Sequence, residues 1–511
     1  MKRSSSSRLA AAAIAFAHAG SALQLNTEDA SSIKEAASQV AKGLYVFHNE
    51  DATTGQFNQP EPWFWWLSGS GWTGLMDYTV YTKDTTYKAD LLSALSKNVG
   101  PDFDFVPPEQ AGWEANDDQA YWLYAGLTAM EYGFDTLPGG PAWDVVSTNA
   151  FNLFASRWNA DSETCNGGLK WQYNPKANGW TYKNAVTNGA FFQTAARLAR
   201  YTGNQTFADW AVKIWDWSRG VGLVSDDYHV YDGTSDDKGA NCSSVNHDEW
   251  SYNIASYLHG AAHMYNFTGD AAWEERVHGF VDTAAATFFK PAKSGVMFEQ
   301  KCEPSKACTT DQTSFKASLA RWLGKTAVLV PSARETIVAL LKTSAAGAAQ
   351  SCVGHGNATC GVSWTGSGFD GQSDFGVELS ALEVLQSLLA FEAPFRVAAG
   401  NDETPTPTSK VANPPAESTS SAASSAAASS SATRTTLTTK VTISVSPSAA
   451  PTTTTATTEI ASPSTTSVIP TTEVSKLPVE SATPTVTTTV TSVPVHKCGK
   501  KRRRSASIES R

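Results

Sequence analysis

The sequence predicts an all-α domain of helical hairpins closed into a toroid, followed by a disordered Ser/Thr/Pro-rich stalk. Three observations carry this prediction. Apolar residues in the first 399 positions recur at helical rather than alternating spacing. The helical segments break at similar turns, as a hairpin repeat would. Every Trp, Tyr and Phe lies at or before Phe395, and Ser, Thr, Pro, Ala and Val dominate beyond it.

Residues 1–22 read as a secretory signal. Lys2, Arg3 and Arg8 precede the short apolar run "LAAAAIAFAHA", and Gly20 and Ala22 are small residues suited to cleavage. The folded domain is expected over 23–399. Residues 400–495 form the stalk, which cannot bury enough apolar surface to offset its ordering entropy, and O-linked sugars are expected on it. A basic tail, 496–511, closes the chain. It ends "VPVHKCGKKRRRSASIESR", not the hydrophobic segment that a glycolipid-anchor signal needs, so membrane attachment is left open.

Secretion agrees with four N-x-Ser/Thr sequons, at Asn204, Asn241, Asn266 and Asn357. It also agrees with the six cysteines of the folded domain, an even number that suggests three disulfides. Cys302 with Cys308 and Cys352 with Cys360 are close in sequence, which leaves Cys165 with Cys242 by elimination and Cys498 unassigned. None has zinc-type CxxC spacing, "NHDEW" is not HExxH, and the acidic loop "SDDYHVYDGTSDDKG" misses EF-hand spacing. No metal and no cofactor are therefore expected. That loop is taken as a solvated loop near the site, with a turn at Asp232-Gly233.

The net charge of −10 becomes about −17 over the folded domain once the basic termini are set aside. This argues against nucleic acid, whose binders carry basic patches, and suits a neutral polymer.

The repeat shows best in two segments. "NGAFFQTAARLARYTGNQTFADWAVKIWDW" places Phe191, Ala195 and Leu198 on one face and breaks at Thr202-Gly203-Asn204. "YNIASYLHGAAHMYNFTGDAAWEERV" does the same with Ile254, Leu258, Ala261 and Met264, breaking at Thr268-Gly269-Asp270. Looser echoes break near Thr82-Lys83-Asp84 and at Gly133. A long, variable period with aromatic-rich loops favours a closed ring over an open solenoid.

Helix starts on one rim of such a ring converge on a funnel. Its aromatic residues can meet the apolar faces of sugar rings. "EPWFWWLSGSGW" supplies Trp65, Trp66 and Trp72 beside Trp63. "NGGLKWQYNPKANGWTYKNAVTNGAF" adds Trp171, Tyr173, Trp180, Tyr182 and the helix-start residue Asn188, and "NHDEWSYN" adds Trp250, Tyr252 and Asn253. Core packing explains any one Trp equally well, and simple capping explains either Asn. "WEANDDQAYW" sets Asp117 and Asp118 side by side at a helix start, with Asn116 as the expected cap. Two adjacent carboxyls among aromatic rings read as a pair of catalytic acids. The helix dipole favours a charged carboxylate, and a like charge beside it raises the pKa of its partner.

"NDDQAYW", "NGGLKW", "TNGAFFQTAARLARYTGN", "DEWSYN" and "SFKASLARW" occur in the order found in glycoside hydrolase family 76, and the resemblance spans Leu23 to Ala393. It resembles the fungal members called defective-in-filamentous-growth and defective-cell-wall proteins. The resemblance implies an (α/α)6 barrel cleaving α-1,6-mannosidic linkages with retention, with Asp117 as nucleophile and Asp118 as acid/base. It implies α-1,6-linked mannan or the mannose core of a glycolipid anchor as substrate. Either water or wall β-glucan could be the acceptor, so hydrolysis and transglycosylation in cell-wall biogenesis both stay open. The alternative is a wall lectin on the same fold that binds mannan without cleaving it.

Overall fold

Both predicted Gly breaks are helix ends. Gly203 and Gly269 take left-handed backbone, φ 69° and 67°, which glycine adopts without a Cβ penalty. The next residues, Asn204 and Asp270, cap the following helices by accepting from the Thr206 and Ala272 N–H groups. Lys83 and Gly133 end their helices in the same left-handed conformation.

The computed structural model describes residues 22–48, 54–59, 64–237, 239–290, 295–354, 358–366 and 368–396. The signal expected at 1–22 (Ala22 apart), Trp63, Asn357, the stalk at 400–495 and the tail at 496–511 with Cys498 lie outside them. The described residues form twelve α-helices: α1 (Ala30–Tyr45), α2 (Trp65–Thr82), α3 (Lys88–Asn98), α4 (Asn116–Tyr132), α5 (Trp143–Ala160), α6 (Ala185–Thr202), α7 (Gln205–Gly220), α8 (Ser251–Thr268), α9 (Ala271–Phe288), α10 (Phe315–Leu329), α11 (Arg334–Ser351) and α12 (Phe375–Gln386). A small antiparallel sheet joins β1 (Tyr182–Asn184), β2 (Gly233–Ser235) and β3 (Val245–Asn246), with Asn184 opposite Gly233 and Thr234 opposite Val245.

The helices fall into two sets. All twelve residues of α12 are buried, and α2, α4, α6, α8 and α10 are buried nearly throughout. The odd-numbered helices bury one stripe and expose the other, as in α1, where Ile33, Ala36, Ala37, Val40, Ala41 and Leu44 face inward. The even helices pack in sequence: α2 on α4, α4 on α6, α6 on α8, α8 on α10, α10 on α12, and α12 on α2. Most odd helices lean on an even pair, as α5 does on α4 and α6 and α11 on α10 and α12. The predicted stripes of α6 and α8 are buried.

Charges that the even helices carry inward are paired. Arg197 bonds Glu131 at 2.8 Å, Arg321 bonds Glu383 at 2.6 Å and Lys325 bonds Asp77 at 2.8 Å, all buried. Removing one partner would leave an uncompensated charge, which costs about 3–5 kcal/mol. Burial, and the Arg197 and Lys325 charges nearby, hold His259 and His263 well below the usual histidine range. The three expected disulfides are present: Cys165–Cys242, Cys302–Cys308 and Cys352–Cys360. No described helix is long and apolar enough to cross a membrane.

Asn204 and Asn241 are exposed, whereas Asn266 is half-buried and its carbonyl accepts from Arg200 Nε at 2.7 Å.

Candidate active site

"NDDQAYW" forms the first turns of α4. Asn116 is not its cap, as the sequence suggested: Ala115 is, in extended conformation, and Asn116 is the first helical residue. The reason is that the Asn116 side chain is engaged elsewhere. Its Nδ2 donates to the Lys170 carbonyl at 2.8 Å, its Oδ1 accepts from Arg157 Nη1 at 2.5 Å, and its N–H donates to the Trp171 carbonyl at 3.0 Å. Asp118 serves the helix start instead, its Oδ2 accepting the Ala115 N–H at 2.7 Å. This is one half of a capping box; Ala115 has no side-chain acceptor for the other half.

The two carboxyls open into a cavity of about 410 Å³. Trp66 from α2 and Tyr121 from α4 form one wall, their rings 4.4 Å apart. Tyr252 from α8 and Phe315 from α10 form another, 4.1 Å apart. Phe64 and Trp171 add two more rings. Polar groups come from Tyr182 and Asn184 of β1, from Asp232 just before β2, and from Asp311. The starts of four even helices thus supply the site, and the sheet closes one side.

Asp117 and Asp118 keep some exposure to the cavity but lie deep among protein atoms. Burial, and then the Asp118 charge, hold the Asp117 carboxyl well above the usual aspartate range. The backbone N–H groups of Asp117 and Asp118 and the Trp171 side chain oppose that rise. Burial brings Asp118 up to about 6, against the Ala115 N–H. Desolvation by the residues packed around the cavity thus opposes the charged form that the helix start favours.

Glu114, just before the pair, is buried, and desolvation pushes it up to about 8. It accepts from Tyr173 Oη at 3.0 Å. The Tyr173 ring carries the Arg157 guanidinium on its face, 4.0 Å from its centroid. Asp232 is raised by burial and accepts from Tyr182 Oη at 2.7 Å. Buried Asn253 is close enough to oppose that rise, although no well-formed hydrogen bond joins them.

The expected residues divide. Asp117, Asp118, Trp66 and Tyr252 line the cavity. Trp72 does not: it is fully buried against Phe57 and donates to the Gly55 carbonyl. Trp65 is also core, stacked on Trp122 and donating to Asn98. Both face away because consecutive turns of a helix buried on all sides cannot all point to one funnel. Asn188 is buried, exchanging hydrogen bonds with the Leu169 N–H and carbonyl, which hold the "NGGLKW" loop. Trp250 sets its edge on Phe315 behind the cavity lining, and Asn253 lies behind Asp232. The acidic loop does lie at the site, where Asp232 lines the cavity, but it is corrected in two respects: Gly233 pairs in β2 rather than forming a turn, and Asp236 is buried rather than solvated, bonding Lys170 at 2.8 Å.

Sequence reading did not single out Asp232, Asn184, Asp311, Tyr121, Phe64 or Phe315 as site residues. Tyr121 lies one turn after Asp117 and could have been found by helical spacing. The others come together only through the fold.

The glycosyl hydrolase family 76 model matches residues 32–399. The chain belongs to glycosyl hydrolase family 76. Among the relatives of this family 76 chain, mannan endo-1,6-alpha-mannosidase DCW1 of Saccharomyces cerevisiae is 41% identical over 387 residues, covering 74% of this chain and 84% of that protein. Mannan endo-1,6-alpha-mannosidase DFG5 of Candida albicans is 36% identical, covering 74% and 84%. The crystal structure of Dfg5 from Chaetomium thermophilum in complex with glucosamine matches with a TM-score of 0.68 at 34% identity, covering 73% of this chain and 94% of that one. The α-1,6-mannanase GH76A of Salegentibacter shares the fold, with a TM-score of 0.55 at 20% identity, covering 70% and 98%.

Proposed function

We propose that this chain is a mannan endo-1,6-α-mannosidase that works with retention of configuration, Asp117 acting as nucleophile and Asp118 as acid/base. The observation that carries the reading is the adjacent carboxyl pair at the start of α4, facing an aromatic-walled cavity. The curated relatives that bear this name support the choice of substrate.

In the first step an Asp117 oxygen bonds to the anomeric carbon while the bond from that carbon to the glycosidic oxygen breaks. Asp118 gives its proton to the leaving oxygen. In the second step Asp118 takes a proton from an incoming hydroxyl, whose oxygen bonds to the anomeric carbon and releases the Asp117 carboxylate. The pair begins and ends with one proton. N–H donors beside Asp117 favour its charged form as the reaction proceeds. Aromatic walls hold sugar faces, and Asp232, Asn184 and Asp311 are polar partners for hydroxyls.

The cyclic packing of the even helices supports a closed (α/α)6 barrel. The signal-like start and the Ser/Thr/Pro-rich stretch support a secreted enzyme held at the cell wall on an O-glycosylated stalk. A stalk that keeps the enzyme among fixed acceptors favours transfer, and β-glucan is the acceptor we propose.

Asp117→Asn and Asp118→Asn should each remove nearly all cleavage of α-1,6-mannotetraose, by about a hundredfold or more, with melting temperature within a few degrees of the parent. Full activity in either would sink the assignment. Mass spectrometry of mannosides before and after incubation separates cleavage from lectin-like binding. Adding β-glucan oligosaccharides reads transfer as a mixed product; only free mannosides at every acceptor concentration would leave a hydrolase.

A further inference from the structure

Trp113 is 86% exposed, and among the described residues it is the one tryptophan left open to solvent. Its exposure is not that of a loose loop. The segment from Pro107 to Glu114 is folded on itself, with Gln110 N–H donating to the Pro107 carbonyl and Trp113 N–H to the Gln110 carbonyl. From outside, Tyr173 Oη donates to the Ala111 carbonyl at 3.0 Å and Asn174 Nδ2 to the Gly112 carbonyl at 3.1 Å. Ala115 then bridges to Gln172, next to the cavity residue Trp171. A large ring is therefore held in water on a pinned backbone, four residues before Asp117 and within ~14 Å of it by chain length. Exposing an indole in this way brings no packing energy in the free protein.

We infer that Trp113 is the platform of an outer sugar subsite, stacking the apolar face of a pyranose unit one or more residues beyond the scissile bond. The inference deepens the proposed function and rests on it for the position of that bond. Three features support it. An amphipathic ring with two torsions is ordered at small entropic cost, which suits a preformed platform. The same loop carries Glu109 and Gln110, which line a separate polar cavity of about 330 Å³ with Gln56 and so offer hydroxyl partners nearby. The loop also continues directly into the Ala115–Asp118 hydrogen bond, so the platform and the carboxyl pair share one rigid segment.

The pyranose could belong to the mannan chain being cleaved or to an acceptor polysaccharide. The test separates the two. In the double variant Asp117→Asn with Asp118→Asn, calorimetry measures binding of α-1,6-mannotetraose and of a β-1,3-glucan tetrasaccharide, with and without Trp113→Ala or Trp113→Phe. A three- to tenfold change in affinity corresponds to about 0.6–1.4 kcal/mol. The expected result is that Trp113→Ala weakens one of the two ligands about three- to tenfold and that Trp113→Phe recovers most of it. Loss on the mannoside assigns the subsite to the substrate chain; loss on the glucan assigns it to the acceptor. Unchanged affinity for both, or equal loss with Phe and Ala, overturns the platform. A parent enzyme that cleaves no α-1,6-mannoside sinks the functional reading alone, because the binding measurement reads the platform without turnover.

Discussion

Arg157 Nη1 reaches both Asn116 Oδ1, at 2.5 Å, and Gln119 Oε1, at 2.7 Å. One guanidinium from α5 thereby braces the residues on either side of the carboxyl pair, while Asn116 Nδ2 holds the Lys170 carbonyl that leads to Trp171. The pair is positioned from behind by side chains that do not line the cavity.

Asn116→Ala should therefore lower turnover without touching a carboxyl. It leaves the Lys170 carbonyl and the Arg157 guanidinium short of partners, a loss of about 1–3 kcal/mol. We expect kcat to fall about ten- to a hundredfold, with a lower melting temperature and a displaced acid limb of the pH profile. An unchanged pH profile would make Asn116 a stability residue only.

Activity should fall below about pH 6, where the coupled pair takes up its second proton and no carboxylate remains to attack. The measurement is kcat/KM between pH 4 and 8; activity that stays flat down to pH 4.5 contradicts it.

Stability should run the other way from ordinary acid denaturation over part of this range. Burial raises Glu114 and Glu299 to about 8 and Glu378 to about 7. A carboxyl whose folded pKa lies above its unfolded value of about 4.3 contributes stability in full below that value. The contribution is lost as pH rises through the folded pKa. Melting temperature should thus drop by a few degrees between pH 5 and 8.5. Glu299 accepts from the Ser251 N–H and hydroxyl, and a glutamine carbonyl can do the same. Glu299→Gln should flatten part of the slope; an identical slope in the variant would remove Glu299 from the account.

A Cβ placed on Gly233 would sit 2.4 Å from the Tyr182 ring. Gly233→Ala must push that ring, and its hydroxyl, away from Asp232. We expect KM to rise more than kcat falls, with a stability loss of about 1–3 kcal/mol from overpacking. Equal changes in both constants would show that Tyr182 does not bind substrate.

Breaking Cys165–Cys242, which joins residues 77 apart, should cost about 4.5 kcal/mol by loop entropy. Cys165→Ser with Cys242→Ser should unfold at clearly lower denaturant than the parent. The shorter Cys302–Cys308 link, spanning 6 residues, should matter less.

Local rules determined much of this protein directly from its sequence. Helical periodicity placed the buried stripes of α6 and α8, because an apolar face must be covered whatever covers it. Gly203 and Gly269 marked helix ends because only glycine enters left-handed backbone freely. Asp117 and Asp118 were legible as a pair because adjacency in a chain guarantees nearness in space. Tertiary structure decided what depends on facing. Trp65 and Trp72 share a motif with Trp66, yet only Trp66 lines the cavity, since α2 is covered on every side. Asp232, Asn184, Asp311 and Phe315 come from separate loops and helix starts, and no local pattern says that they meet. The desolvation of the pair was also beyond the sequence. The helix dipole can be read from a helix start, but the burial that opposes it comes from the residues that the fold packs around the cavity.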